Sequence, residues 1–248
     1  MTDPPAPAPD SGTAATDSGT AAPRSATGRG ETRVQEPTRT ERTIARRTAE
    51  ARATVPDTEL RAEADMSAFV RLTSAGGGPS LDAVLARACA LALRQTPRAN
   101  AAYRDGRYEL YSRVNVGLTV DTPEGYVAVT LFDAERKPAS ELESELERLS
   151  ARVRSGEITP PESSGATFTI TNLGRYGVAD ATAVINPGQA AALAAGAVRA
   201  APIVRDGVIV PGHAMAITLA CDHRILFGEP AARFLVHIRA LLEAPEGL

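Results

Sequence analysis

The order of apolar patterns along the chain constrains its fold more than any single motif does. From Glu41 onward, segments with apolar residues at helical spacing are interspersed with short strand-like runs. Helices are predicted from Glu41 to a stop at Pro56, from a Ser80 cap to just before Pro97, and over 139–153 and 230–242. Strands are predicted over 58–69, 108–111, 114–120, 126–132, 167–171 and 215–221, with a tight hairpin around Asp206-Gly207. This mixture, without a regular βαβ repeat, predicts an α+β domain with a mixed sheet.

The first forty residues differ from the rest in composition. They are rich in Pro, Ala, Ser, Thr and Gly and carry almost no large apolar side chains. Such a segment buries too little surface to offset its ordering entropy. We therefore predict a disordered tail over 1–40 and one folded domain over 41–248, with a docking role for the tail as the alternative.

Charge and composition exclude several classes of function. The formal net charge is −3, and the scattered arginines are matched by acidic residues, which argues against a nucleic-acid partner. No apolar run is long enough to cross a bilayer, and the N-terminus does not resemble a secretory signal, so a cytoplasmic protein without a membrane partner is expected. Cys89 and Cys221 stand far apart in apolar surroundings and are interpreted as buried thiols. With only three histidines, no metal site is expected.

Among those histidines, His223 is the candidate for chemistry. It follows an apolar strand directly, and a strand end holds a side chain rigidly beside a loop. A buried, hydrogen-bonded histidine is the alternative interpretation. His237 lies among apolar residues of the last helix and is interpreted as structural, and His213 follows Pro211-Gly212 in an expected solvated turn. Nucleophile-elbow, P-loop and dinucleotide-binding motifs are missing from the sequence.

Five groups of residues follow one another along 41–248 as a collinear set of motifs. They are 42–47 with 54–56, Val120-Asp-Thr-Pro-Glu-Gly-Tyr-Val127, Gly165-Ala-Thr-Phe-Thr-Ile-Thr-Asn-Leu-Gly174, Ile185-Asn-Pro-Gly-Gln-Ala190, and Cys221-Asp-His-Arg224 with Gly228 and 231–235. In this order they resemble the catalytic core of the dihydrolipoamide acyltransferases of 2-oxoacid dehydrogenase complexes, and the resemblance spans about 41–248.

The resemblance implies a chloramphenicol-acetyltransferase-like fold, a mixed sheet with flanking helices that forms homotrimers with active sites between subunits. It implies that His223 is the general base and that the Thr171 hydroxyl, from the adjacent subunit, stabilises the oxyanion. It implies acetyl-CoA or another acyl-CoA as co-substrate and no metal. The supporting motif residues are Asp222, Arg224, Asn172, Gly174, Phe227, Gly228 and Arg47.

Two features depart from the family pattern. The residue four after the histidine is usually Asp or Asn, and in the wider fold an Asp here pairs with an arginine of the opening helix. Here the two positions hold Phe227 and Arg47, so this ion pair cannot form. The other departure is the missing Pro after the turn at 121–125, since Val127-Ala-Val-Thr130 runs straight on. Separately, Lys137, the sole lysine, stands just ahead of a helix and not at a hairpin tip, where a lipoyl arm would need it. We therefore expect no covalently attached lipoyl group on this chain.

These departures leave four functions open. The first is a free-standing acyltransferase with a small-molecule or carrier-bound thiol or hydroxyl acceptor, as in tetronate-type natural-product assembly. The second is a dehydrogenase-complex acyltransferase that works with a separate lipoyl carrier. The third is a cyclase or eliminase on the same fold, which Phe227 favours, and the fourth is a purely structural core protein.

Overall fold

The computed structural model describes residues 32–74, 76–123 and 125–248. Most of the predicted tail, residues 1–31, lies outside the described residues. Residues Thr38–Leu248 form one compact unit. Its first helix begins at Arg39, slightly before the predicted boundary at Glu41, because Thr38 and Glu41 form a capping box. The Thr38 hydroxyl accepts a hydrogen bond from the Glu41 N–H (3.2 Å), and the Glu41 carboxylate accepts one from the Thr38 N–H (2.7 Å).

Helices and strands follow one another in the irregular order expected of an α+β domain. The helices are α1 Arg39–Thr54, α2 Ser67–Ser74, α3 Leu81–Gln95, α4 Ala139–Ser155, α5 Pro160–Ser164 and α6 Gly228–Glu243. The strands are β1 Asp57–Asp65, β2 Ala101–Arg104, β3 Arg107–Leu110, β4 Val116–Thr122, β5 Gly125–Leu131, β6 Phe168–Asn172, β7 Ala191–Ala195, β8 Arg199–Arg205 and β9 Val208–Asp222.

Seven strands form one mixed sheet in the order β1-β9-β7-β6-β4-β5, with β8 paired to the first half of β9. The β4–β6 and β6–β7 pairs are parallel, and the other pairs are antiparallel. Strands β2 and β3 form a separate two-stranded sheet. The expected mixed sheet is confirmed.

The two faces of the sheet are covered differently. Helices α3, α4 and α6 pack on one face in a large core, where the rings of Phe168 and Phe234 meet edge to face with centroids 6.0 Å apart. On the other face, the small side chains of Ala192, Ala194 and Ala220 pack against Ala183 of the 177–190 loop. The helices therefore cover one side of the sheet, and a loop without helix or strand covers part of the other.

The strand predicted over 58–69 ends earlier than expected, and this prediction is wrong beyond residue 65. Strand β1 stops at Asp65, whose carboxylate accepts hydrogen bonds from the backbone N–H (2.9 Å) and hydroxyl (2.5 Å) of Ser67. This local capping turns the chain into α2, so Phe69 is helical.

The prediction of a solvated turn at His213 is also wrong. Strand β9 runs without a break from Val208 to Asp222, and His213 is a half-buried residue within it, paired with Ala200. The separate strand predicted over 215–221 is the second half of this long strand. Both cysteines are buried and free, as predicted. None of the helices in the described part of the chain is long and apolar enough to cross a membrane.

The start of α2 gives the fold a measurable pH dependence. Burial alone would raise the pKa of Asp65, but hydrogen bonds from Ser67 and Arg205 and the charge of Arg205 outweigh it and lower the pKa to about 2. An unfolded Asp titrates near pH 3.9. The depressed pKa stabilises the fold above about pH 4, and this contribution is lost as the pH falls towards about 2.

Between about pH 4 and 2 the unfolding free energy of the wild-type protein should fall as Asp65 takes up a proton, and we expect it to fall less in Asp65→Asn. The two falls should differ by about 1 kcal/mol. This is smaller than the free energy that two pKa units represent, because water screens the partly exposed carboxylate. Urea unfolding at a series of pH values measures it. Asp105→Asn, at an exposed turn, is the control, and equal pH slopes for the two variants would contradict the assignment.

Candidate active site

The turn after β9 carries His223 and is fixed by backbone hydrogen bonds. The Asp222 N–H donates to the Ala190 carbonyl (2.8 Å), and the His223 N–H donates to the Pro56 carbonyl (2.9 Å). The Ile225 N–H closes the turn by donating to the Asp222 carbonyl (2.9 Å). Three segments that are far apart in sequence therefore place His223: the end of β9, the start of β7 and the end of α1.

A salt bridge inside the turn reinforces it. The Asp222 carboxylate is only 2 % exposed and accepts from the Arg224 backbone N–H (3.0 Å), Nε (2.9 Å) and a terminal guanidinium nitrogen (2.8 Å). The hydrogen bonds to Asp222 raise the pKa of Arg224 above its ordinary value. Such a two-point pair satisfies the buried carboxylate and locks the turn geometry on either side of His223.

The His223 side chain itself is exposed. Within the described residues its imidazole makes no hydrogen bond; its aromatic neighbour is Phe227, with ring centroids 5.7 Å apart and planes 54° apart. Phe227 is 44 % exposed and occupies the N-cap position of α6 without a capping hydrogen bond from its side chain. Helix α6 begins at Gly228, which has a positive φ of 56°. An exposed imidazole without a partner can take a proton from a bound acceptor.

Thr171, the second predicted catalytic residue, lies near the end of β6. Its neighbours Ile170 and Phe168 join the core under the helices, so Thr171 belongs to the opposite face of the sheet. It is partly exposed, and its hydroxyl makes no hydrogen bond to the part of the chain that the structure describes. The hydroxyl can therefore donate to an incoming group.

The residues after Thr171 hold the strand end in place. The Asn172 side chain donates to Asp82 at the start of α3 (2.7 Å) and accepts from the Gly174 N–H (3.0 Å). Gly174 approaches the Gly196 backbone so closely that an added Cβ would lie 2.4 Å from its carbonyl oxygen. These contacts give Asn172 and Gly174 a supporting role at the strand end. The sequence did not predict that Asp82 contacts Asn172, because only the folded chain brings the start of α3 next to the end of β6.

One chain does not bring His223 and Thr171 together. Thr171 pairs with Ala194 of β7, which pairs with Thr218 of β9, and His223 follows five residues later. Two strand spacings and five residues of strand correspond to about 15–20 Å. No proton transfer or oxyanion contact spans that distance, so the two predicted groups do not meet within one chain.

The remaining predicted residue, Arg47, lies exposed on α1 and makes no ion pair within the described part of the chain. Residues 32–74, 76–123 and 125–248 contain no cluster of three or more acidic, histidine or cysteine side chains that could hold a metal. A groove of about 600 Å³ lies between β1, α2 and β8, and neither His223 nor Thr171 lines it.

The sequence interpretation missed the hairpin of β2 and β3, which lies against the His223 turn. The Tyr108 hydroxyl on β3 donates to the Arg224 carbonyl (3.1 Å). Asp105-Gly106, with positive φ at both residues, was the available signal, because this dipeptide favours a two-residue hairpin. Only β3 was predicted, as the strand over 108–111.

Comparisons with known proteins all identify the same family of acyltransferase domains. Residues 29–248 match the family model described as 2-oxoacid dehydrogenases acyltransferase (catalytic domain). The chain is similar to the dihydrolipoyllysine-residue acetyltransferase component of the pyruvate dehydrogenase complex of Zymomonas mobilis, with 34 % identity over 215 residues, 84 % of this chain and 49 % of that protein. The chain thus spans about half the length of the curated relatives that it matches.

Solved structures give the same picture. A truncated catalytic core of the 2-oxoacid dehydrogenase multienzyme complex from Thermoplasma acidophilum is 29 % identical, with a TM-score of 0.77, over 87 % of this chain and 100 % of that one. The cubic core of the pyruvate dehydrogenase multienzyme complex is 25 % identical, with a TM-score of 0.81, over 90 % of this chain and 97 % of that one. The fold expected from the sequence resemblance is confirmed.

The close approach at Gly174 predicts a specific loss of stability. In Gly174→Ala the new methyl group meets the Gly196 carbonyl, and backbone atoms must shift. We expect the unfolding free energy to fall by about 1–3 kcal/mol, the usual cost of overpacking, in urea unfolding experiments. Gly247→Ala, where an added Cβ has nothing within 4 Å, is the matched control. If both variants unfold at the same urea concentration, the contact is not as tight as described.

Proposed function

The chain belongs to the family of 2-oxoacid dehydrogenase acyltransferase catalytic domains, and we propose that it moves an acyl group between the thioester of coenzyme A and a dihydrolipoyl thiol. The observation that carries this proposal is the placement of two accessible groups on one chain, which we interpret as two half-sites. The His223 imidazole is exposed at one end of the sheet and the Thr171 hydroxyl is partly exposed towards the other, and neither has a hydrogen-bond partner within the described residues.

In the proposed reaction, His223 removes the proton from the acceptor thiol as its sulfur attacks the thioester carbonyl. A base in this role contributes about 10² to 10⁴ in rate. The negative charge moves to the carbonyl oxygen, where the Thr171 hydroxyl donates a hydrogen bond worth about 3 kcal/mol. When the tetrahedral intermediate collapses, the carbon–sulfur bond to coenzyme A breaks and the imidazolium returns its proton to the leaving sulfur.

This mechanism requires an oligomer in which Thr171 of one copy faces His223 of the next. A homotrimer with three equivalent sites satisfies the requirement, because a closed ring uses both half-sites of every chain. Val204 and Ile209, exposed apolar side chains that pair across the β8–β9 hairpin and so share one face, support self-association. The similar cubic core of the pyruvate dehydrogenase complex is itself an assembly.

The acceptor is proposed from the relatives and from the lysine content. The curated relatives are named for acetyl transfer to a dihydrolipoyllysine residue, which supports the dehydrogenase-type expectation better than the natural-product one. Lys137 forms an ion pair with Glu145 at 2.5 Å and is largely buried. It is therefore unsuited to carry a swinging arm, and the dihydrolipoyl group would be presented from outside these 248 residues.

Phe227 favours a second candidate function, transfer to an apolar hydroxyl acceptor. An apolar ring 5.7 Å from the base offers no hydrogen bond to a polar acceptor and can pack against a hydrophobic one. This is the biosynthetic alternative, with the same base and oxyanion donor. A cyclase or eliminase would use the same apolar surface without binding coenzyme A.

Subunit complementation tests the shared site. We expect His223→Ala and Thr171→Ala each to lower acyl transfer from acetyl-CoA to dihydrolipoamide by at least about 100-fold. Coexpressed in one oligomer, the two variants should regain about a quarter of the wild-type activity, because random assortment in a closed ring pairs an intact histidine with an intact threonine at that frequency.

The matched control for complementation is coexpression of His223→Ala with His223→Gln, which leaves no intact base. Recovery in the control would indicate contaminating activity. Failure of the first pair to recover, with mixed oligomers shown by mass spectrometry, would mean that the site is not shared. A wild-type protein that neither binds nor uses acetyl-CoA would overturn the proposed function and favour the cyclase alternative.

Substitution of Phe227 separates the two acceptors. We expect Phe227→Asn to raise kcat/KM for dihydrolipoamide relative to an apolar primary alcohol by about tenfold, since one apolar contact discriminates by about 10–200-fold. The measurement is kcat/KM for both acceptors at fixed acetyl-CoA. Val236→Asn, at another exposed apolar residue of the same helix, is the control. An equal change for both acceptors would show that Phe227 does not contact the acceptor.

A further inference from the structure

The hairpin of β2 and β3 stands apart from the main sheet, and its exposed outer strand makes few contacts that would stabilise the core. All four residues of β3 are exposed. The inner strand is different: Ala101 packs with Ala190 and Ile225 in a small cluster, against which Tyr103 rests. The contacts of the hairpin are therefore directed at the turn that carries His223.

Tyr103 is the central contact. The guanidinium carbon of Arg224 lies over the Tyr103 ring, 4.6 Å from its centroid, while the edge of the same guanidinium binds Asp222. Tyr108 adds its hydrogen bond to the Arg224 carbonyl, and its own ring lies 5.1 Å beneath the guanidinium of Arg98. The Tyr103 ring therefore packs on one face of the guanidinium whose edge is paired with Asp222, and a cation–π contact of this kind is attractive.

The turn needs this support because the His223 side chain has no hydrogen bond of its own within the described residues. The position of the imidazole is therefore determined by the backbone conformation between Asp222 and Arg224. One side of that backbone is tied to Pro56, and the other is tied through Arg224 to the hairpin. A misplacement of about 1 Å at a catalytic group can lower a rate by up to about 100-fold.

We propose that Tyr103 is a positioning residue for His223, acting through its stacking contact with Arg224. The inference rests on the proposed function for its kinetic consequence, but the structural part stands on its own. In this role Tyr103 acts through Arg224 and not by contact with substrate. It fixes the guanidinium, the guanidinium fixes the Asp222–Arg224 turn, and the turn fixes the base.

The test uses the full chain with three substitutions. Tyr103→Leu removes the aromatic face, Tyr103→Phe keeps it, and Leu110→Ala shortens an exposed side chain on the same hairpin as the control. We expect Tyr103→Leu to lower kcat by about tenfold with an unchanged KM for acetyl-CoA. Tyr103→Phe should restore kcat, and Leu110→Ala should leave it unchanged.

Hydrogen exchange supplies a readout that does not depend on activity. In Tyr103→Leu, the amides of His223, Ile225 and Leu226, which are bonded within or across the turn, should exchange about tenfold faster. The amides of β7 should not change. Tyr108→Phe, at an exposed position where folding is not at risk, should show a smaller effect of the same kind because it loses only the bond to the Arg224 carbonyl.

The outcomes distinguish the two proposals. Wild-type kcat and wild-type exchange in Tyr103→Leu overturn the positioning role, and so does faster exchange with unchanged kcat. A wild-type chain without acyl transfer overturns the proposed function, and the exchange data then decide separately whether Tyr103 holds the turn.

Discussion

The pairing of strand β9 is the constraint on which the rest of the structure depends. This one strand pairs with β1 and β7 along its second half and with β8 along its first half. Its last residue, Asp222, begins the turn that presents His223. The register of β9 therefore fixes the position of His223 along the sheet relative to every other strand, and a slip by one residue would turn the alternating side chains to the wrong face.

The same register keeps the two candidate catalytic groups apart. Thr171 and His223 lie towards opposite ends of one rigid sheet, which cannot fold back on itself. The proposed mechanism therefore needs a neighbouring copy of the chain, and in that proposal the site depends on assembly.

The contacts that hold the His223 turn also differ from the usual pattern of the family that the sequence resembles. Phe227 removes the polar partner, and Arg47 is left exposed on α1. In this chain the turn is held by the buried Asp222–Arg224 pair and by the stacking of Arg224 on Tyr103. A cation shared between a carboxylate and an aromatic face can fix the backbone without any contact to the imidazole.

The sequence by itself determined the local features: the amphipathic helices, the Asp206-Gly207 hairpin, the strand that ends before His223, and the motifs that place the chain in its family. These depend on residues close together in the chain, whose spacing records helix or strand periodicity. Only the tertiary structure decided that β1 ends at Asp65, that His213 lies inside β9, and that Tyr103 stacks on Arg224. The first follows from a competing side-chain cap, and the other two join segments more than ten residues apart, which no local periodicity encodes. The separation of Thr171 from His223 was likewise decided by strand order, a non-local property of the sheet.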